Sequence, residues 1–339
     1  MQKDMMNFKL ESEEKYMKDY LNKLRNKDGK YKRVLISPLR YAGGKSKAIG
    51  YILENMPKLN EKKVVSLFMG GGSTELVFSQ CLNMEVVAYD IFGMLTNFWD
   101  VLINNKQKFV DELKKFKVNT EEFTRNRHIL LNYWEKIKPK DLSYHTKKVV
   151  NLSDEEKTLL DEDRIMQAVY YYYNMTLSYG PMFLGWPSSN EIKEEKFKRK
   201  IKAMEKLDLK NISVHCADFK EAIQKHENDF LFLDPPYYLG EDSKMFKGIY
   251  PNSNFAIHHN KFDHKELHKL LSSHKGGFLI TYNDCDTIRN WYKDYKQVFP
   301  SWQYTYGQGE TRIGKNRKEG NESNVKDSHE IIIICPPLI

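Results

Sequence analysis

The stretch KKVVSLFMGGGSTELVFSQCL, Lys62 to Leu82, decides the fold. Val64 to Phe68 is a short apolar run that ends in glycine, the pattern of a strand buried on both faces. Gly70-Gly71-Gly72 turns the chain, and a helix is predicted to open at Ser73 or Thr74. Upstream, RVLISPLRYAGGKSKAIGYILENMP has the same grammar: a short apolar strand, a glycine turn, and a helix ending before Pro57. Downstream, MEVVAYD reads as a third strand ending in Asp90, and TNFWDVLINN as a helix. Residues from about 105 to 207 then turn helical, charged and aromatic, without a convincing strand. Alternation returns in NISVHC, DFKEAIQ, DFLFLD, HKELHKLL, GGFLITYND, TIRNWY and HEIIIICPP. Such alternation on both sides of an insert predicts an α/β fold, an open and mainly parallel sheet with helices on both faces. Ligands of such sheets bind beyond the carboxyl ends of the strands.

The resulting division is an N-terminal helical extension over 1–33, a catalytic domain over 34–104 and 208–339, and a helical insert over 105–207. The extension is expected to end near Asp28-Gly29. With 339 residues the chain can bury a substantial core. No apolar run approaches the roughly 20 residues of a membrane span. The first residues lack the apolar core of a signal peptide, so a cytoplasmic protein is expected. Four scattered cysteines, with no C-x-x-C pair, suggest neither a disulfide framework nor a zinc site. The net charge of +8 permits a polyanionic partner without requiring one.

Every conspicuous motif falls at a strand's carboxyl end. The glycine turn at 70–72 lets backbone approach a ligand closely. Asp90, about twenty residues on, is placed to accept from ribose hydroxyls or to cap the following helix. AGGKS, Ala42 to Ser46, lacks the first glycine of a phosphate loop because Leu39 stands there. A nucleoside triphosphatase is thereby disfavoured, while Lys45 remains available to an anionic group. In DFLFLDPPYYLG, Asp229 to Gly240, two prolines end a core strand beside an acid and an aromatic ring. Asp234 and the Pro235 carbonyl can both accept from one exocyclic amine, Pro236 stiffens the turn, and Tyr237 can stack on the ring bearing that amine. Accepting both N–H bonds makes the nitrogen a better nucleophile, which is catalysis by positioning and preorganisation. The alternative reading is a proline turn with a capping acid.

RYAGGK (Arg40–Lys45), FMGGG (Phe68–Gly72), AYD (Ala88–Asp90), ADF (Ala217–Phe219) and DPPY (Asp234–Tyr237) together resemble the Dam-type, alpha-group adenine-N6 DNA methyltransferases. The resemblance runs over most of residues 34 to 337, with HEIIIICPP similar to that family's closing strand. It implies a Rossmann-like S-adenosylmethionine-dependent methyltransferase sheet and a target-recognition role for the insert. S-adenosyl-L-methionine would be held by Tyr41, Ala42, Gly43 and Lys45 at its methionine end, by Phe68, Gly70 and Gly72 around its pocket, by Asp90 at the ribose, by Asp218 near the adenine, and beside Asp234. Asp234, Pro235, Pro236 and Tyr237 would hold a flipped target adenine. Double-stranded DNA is the implied partner, a restriction endonuclease a candidate functional counterpart, and the enzyme a monomer or weak dimer. A prokaryotic or phage source follows, with the protein associated with the nucleoid through DNA.

Two departures matter. Ser66-Leu67 stand where the family usually carries an acid and a proline, and YGPMFLGWPSSNEI replaces the N-G-L-x-R-x-N signature of GATC-type members. Recognition of GATC therefore does not follow. DNA contacts are expected from Arg125, Arg127, Lys198 and Lys200 in the insert, from Tyr250 in the loop after the catalytic motif, and from Arg312 and Lys315 in a polar loop over 307–326. HKELH places two histidines one helical turn apart, but Glu266 fits neither zincin position, so no metal is expected. Competing readings are methylation of RNA or of cytosine N4, and a catalytically silent DNA-binding protein of methyltransferase-like fold. Tyr238 has no assigned role.

Overall fold

The computed structural model describes residues 15–41, 43–59, 61–138, 151–180, 183–243, 262–301 and 329–338. Helix α1 (15–24) is followed by a turn closed by the Gly29 amide on the Asn26 carbonyl. The apolar residues after it do not form the expected first strand. They run as extended chain, and the Val34 amide turns back onto the Ser46 carbonyl. The sheet offers that segment no vacancy beside β1 (Lys63–Ser66), which already pairs with a strand on each side. α2 (Ile49–Glu54) ends before Pro57, as its sequence requires.

β1 leads through the glycine turn into α3 (Ser73–Leu76), which continues as a wider turn over Val77–Cys81. β2 (Glu85–Asp90) pairs parallel with β1, and α4 (Gly93–Asn104) returns from it. The insert contributes α5 (Lys106–Lys115), α6 (Thr120–Ile137), α7 (Asp154–Thr158), α8 (Arg164–Leu177) and α9 (Glu194–Glu205). Three of these helices start on a side-chain cap: Asn119 accepts from the Glu122 amide, Ser153 and Glu156 form a capping box, and Asp163 accepts from the amides of Ile165 and Met166. The remaining elements are β3 (Ile212–Cys216), α10 (Phe219–Lys225), β4 (Leu231–Leu233), α11 (His264–Ser272), β5 (Phe278–Asn283), α12 (Asp286–Trp291), β6 (Lys296–Val298) and β7 (Glu330–Cys335).

The sheet runs β3-β2-β1-β4-β5-β7-β6. The first five strands in that order are parallel, whereas β7 is antiparallel to both β5 and β6. Strand order reverses between β1 and β4, which opens a crevice beyond their carboxyl ends. The glycine turn and the Asp234-Pro235-Pro236-Tyr237 turn both leave the sheet there. Val64 and Val65 are wholly buried, as are Leu231 and Leu233, which explains why these strands read as unbroken apolar runs.

α8 packs on α4 and carries the four consecutive tyrosines, Tyr170 to Tyr173. All four are buried, more than a single helical face provides. Tyr172 stacks on Phe98 of α4 with ring centroids 5.6 Å apart, while Tyr173 is ringed by Phe116, Phe123 and Phe197. α8 is thus enclosed by α4 on one side and by other residues of 105–207 on the rest.

Candidate active site

Two glycines fix the turn after β1. Gly70 has φ +47°, and a Cβ there would lie 3.0 Å from the Tyr41 ring. Gly72 has φ +65°, and a Cβ there would lie 2.7 Å from the Trp99 ring. Neither conformation nor space suits a side chain. Trp99 Nε1 donates to the Gly70 carbonyl at 3.0 Å, so α4 holds the turn from behind. Asp90 holds it from the side: Oδ2 accepts from the Gly70 amide and Oδ1 from the Phe92 amide, each at 3.0 Å. Burial pushes the Asp90 carboxyl above its ordinary value, and these amides pull it back. The carboxylate thus ties the glycine turn to the chain entering α4 rather than capping that helix, whose N-cap Phe92 has no side-chain cap bond. Its remaining lone pairs can accept further bonds.

The first motif lies across this turn. The Tyr41 ring packs on Gly70, Arg40 donates to the Thr176 and Ser178 carbonyls at 3.3 Å, and Gly43 has φ +77°. Ala42 is outside the described residues. Lys45 is buried, and its ammonium sits 2.6 Å from Asp234 Oδ1 and 4.9 Å from the centre of the Tyr237 ring. It also donates to the Gly43 carbonyl at 3.2 Å. The first and last motifs therefore meet through one ion pair.

Thr281 of β5 donates to the same Asp234 Oδ1 at 2.8 Å. Among the described residues the bonds to this carboxylate all fall on Oδ1, so Oδ2 carries none. Pro235 is buried and Pro236 half-buried. Tyr237 is buried, and its hydroxyl donates to Glu330 Oε2 at the start of β7. Tyr238 turns the other way, its ring against His264 and Trp291 at 5.4 and 5.5 Å. Its carbonyl accepts from Asn283 Nδ2 at 2.8 Å.

At the other end of the crevice, Phe68 meets Phe219 and Phe262 at 6.0 and 5.5 Å, and those two lie 5.2 Å apart. Asp218 caps α10 beside this aromatic group by accepting from the Lys220 amide at 2.9 Å. Glu75, on the first turn of α3, is buried and accepts from the Ser66 hydroxyl at 2.6 Å. An acid, an aromatic wall and a glycine turn thus lie along one side of the crevice. A rigid acceptor with a buried aromatic ring lies at the other.

A family model for D12 class N6 adenine-specific DNA methyltransferases matches residues 41–306. The chain belongs to that family. No curated protein matches the chain. The methyltransferase is accordingly an enzyme that methylates adenine N6 in DNA, and its seven-stranded sheet is the Rossmann-like sheet that the motif order implies.

The methyltransferase uses its basic candidates unevenly. Arg125 is exposed and paired with Glu156, and Lys198 is exposed and 2.7 Å from Glu194. Lys200 is part-buried, 2.9 Å from Glu191. Arg127 is buried, with Nε donating to the Leu184 carbonyl at 2.9 Å and its guanidinium 4.5 Å from the Trp186 ring centre. It supports an exposed tryptophan, and Tyr179 beside it is exposed as well. Tyr250, Arg312 and Lys315 lie outside the described residues. His264 Nδ1 pairs with the Tyr282 hydroxyl at 2.9 Å, and burial lowers its pKa to about 4. No group of three or more His, Cys, Asp or Glu among the described residues is placed to hold a metal. No helix among the described residues is long and apolar enough to cross a membrane.

Sequence alone does not single out Thr281, Glu330, Trp99, Phe262 or Glu75. Thr281 and Glu330 sit inside strands that read only as apolar core. Trp99 lies in an ordinary amphipathic helix. Glu75 carries a signal that a single sequence shows faintly: an acid among apolar residues on the first turn after a glycine loop.

Proposed function

We propose that S-adenosylmethionine occupies the crevice between the glycine turn and the Asp234–Tyr237 turn, and that a flipped adenine meets it there. The chemistry of the residues fits that cofactor. Asp90 offers a carboxylate to ribose hydroxyls, and the group of Phe68, Phe219 and Phe262 offers a flat apolar wall to a purine. Gly70 and Gly72 bring backbone close where a side chain would block approach. When bound, the cofactor supplies an electrophilic methyl group.

The chain's own residues do the rest. Asp234 Oδ2 and the Pro235 carbonyl accept the two N–H bonds of adenine N6 and direct its lone pair away from the ring. Pro236 limits movement of those acceptors. Thr281 holds the carboxylate in place from β5, and Glu330 holds the Tyr237 ring through its hydroxyl. Lys45 stands within contact of both the carboxylate and the ring face, so it yields that position when the base enters.

The observation that carries this reading is the convergence of Lys45 and Thr281 on one oxygen of Asp234, at the mouth of the crevice opposite the Asp90-held turn. Insert residues, with Arg125 and Lys198 on the surface, supply phosphate contacts, and Trp186 and Tyr179 are candidates for contact with bases. Recognition of GATC does not follow, since Tyr179 to Ile192 lacks the signature of GATC-type members. A monomer or weak dimer of prokaryotic or phage origin, cytoplasmic and with a restriction endonuclease as a candidate functional counterpart, completes the reading. Incubation with labelled cofactor and separate duplex DNA, single-stranded DNA and RNA tests it. Label in duplex DNA, recovered as N6-methyladenine, is expected, and label in RNA alone would refute it.

A further inference from the structure

Glu75 is a buried acid without an evident structural purpose. It is 2% exposed, and its immediate chain neighbours Thr74, Leu76 and Val77 are buried as well. Its side-chain partner is the Ser66 hydroxyl, 2.6 Å from Oε1, and its own backbone amide also favours the ionised carboxylate. The other charges that act on it are those of Asp234, beyond β4, and Asp90, at the end of β2, and both are acids. The cation of this region that pairs with Asp234 is Lys45, 2.6 Å from its Oδ1. Among the described residues no cation forms an ion pair with Glu75. A carboxyl taken out of water among like charges is destabilising unless something neutralises it. An apolar residue would fill the same place at lower cost, so the acid calls for a ligand of opposite sign.

The position narrows that ligand. On the reading above, Asp90 faces the ribose and Asp234 faces the amine that receives the methyl group. The sulfur links the two, and Glu75 acts electrostatically on both of their carboxylates. A sulfonium bears three carbon substituents and no N–H, so only charge can distinguish it from the neutral sulfide of the product. We propose that Glu75, oriented by Ser66, is the cofactor-positioning residue that supplies the counter-charge to the sulfonium, and that the enzyme uses it to tell S-adenosylmethionine from S-adenosylhomocysteine. Binding the sulfonium drives the Glu75 proton to solvent. When the methyl leaves the sulfur, the positive charge passes to N6, which releases a proton to solvent. The sulfide is then neutral, Glu75 takes up a proton from solvent, and the product loses its electrostatic hold.

Burial, with smaller contributions from Asp234 and Asp90 and opposed by the Ser66 bond, pushes the Glu75 carboxyl up to about 7 in the free protein. The proton count is therefore measurable near neutral pH. The inference rests on the proposed cofactor site, and the experiment separates the two. Isothermal titration of the full chain, without DNA, compares S-adenosylmethionine with S-adenosylhomocysteine from about pH 6 to about pH 8, in buffers of different ionisation enthalpy. The expected result is an affinity ratio that rises about tenfold over that range, with proton release for the sulfonium ligand only, falling from about 0.9 near pH 6 to about 0.1 near pH 8. E75Q, which keeps an acceptor for Ser66, is expected to flatten the ratio and lower the preference for the sulfonium about tenfold. The ligands' own amino groups titrate alike in both proteins, so the difference isolates Glu75. E75M fills the same volume should E75Q not fold, and the wild-type proton count stands without either. A ratio independent of pH in the wild type, or unchanged by E75Q, overturns the role of Glu75. Failure of the wild type to bind either ligand overturns the cofactor site itself.

Discussion

Replacement of Lys45 by methionine tests the contact that joins the first and last motifs. The ammonium is 4% exposed and lies 2.6 Å from Asp234 Oδ1. At an effective dielectric of about 20 the gross attraction at that distance is about 6 kcal/mol. Desolvation of both groups offsets much of it. Removing one member of a buried pair costs about 3–5 kcal/mol, because the other is left without its partner. Asp234 is 21% exposed, so water partly replaces the ammonium and the loss should fall near the lower limit, about 3 kcal/mol. K45M loses the contact with the Tyr237 ring as well, a term of about 1 kcal/mol. Urea unfolding should place the K45M midpoint about 1 M lower, for an m-value of about 3 kcal/mol per molar. D234N in the K45M background should then cost less than D234N alone, with a coupling of about 2 kcal/mol or more in the double-mutant cycle. A K45M midpoint within error of the wild type, with zero coupling, would refute the pairing and the register of the two motifs.

Other expectations follow from the same site. G72A combines a left-handed backbone with a Cβ 2.7 Å from Trp99, and should lower stability by about 2–3 kcal/mol in thermal or urea unfolding. T281V removes the hydroxyl donor to Asp234 and should slow methyl transfer about tenfold while cofactor affinity, measured by calorimetry, is retained. Y237F keeps the ring but frees Glu330 of its hydroxyl partner; it should lose about 1–3 kcal/mol of stability and weaken the 2-aminopurine fluorescence change that reports base flipping. For pH, the folded protein binds the Glu75 proton more tightly than the unfolded chain. Its contribution to stability is full below about pH 4.5 and declines through about pH 7, by about 3 kcal/mol. The wild type minus E75Q stability difference should trace that decline, and a flat difference would contradict the burial of an ionisable group there.

Most of the sheet was legible because parallel strands are apolar on both faces and their ends carry glycine, acid or proline. Val64 to Phe68, Glu85 to Asp90 and Phe278 to Asn283 stand out for that reason. β6, at the sheet edge, has only three residues, too few to show a period. The expected strand near Val34 has the same composition as a true strand, but both edges of β1 are taken, a tertiary fact beyond local sequence. The site divides in a similar way. Turns announce themselves through Gly70, Gly72 and Pro235. Residues that support them, such as Thr281 and Glu330, come from strands whose other members are core, and only the sheet order brings them to Asp234 and Tyr237. Lys45 was legible as a residue for an anion, and one anion beside it, Asp234, lies in the chain itself.

The most direct test of the proposed chemistry is methyl transfer by D234A. Purified wild type and variant are incubated with radiolabelled S-adenosylmethionine and duplex DNA, and cofactor binding is followed in parallel by calorimetry. The expected result is loss of N6-methyladenine formation by at least about a thousandfold, with cofactor binding largely retained. Full activity in D234A would contradict the assignment of Asp234 as the acceptor that positions the target amine.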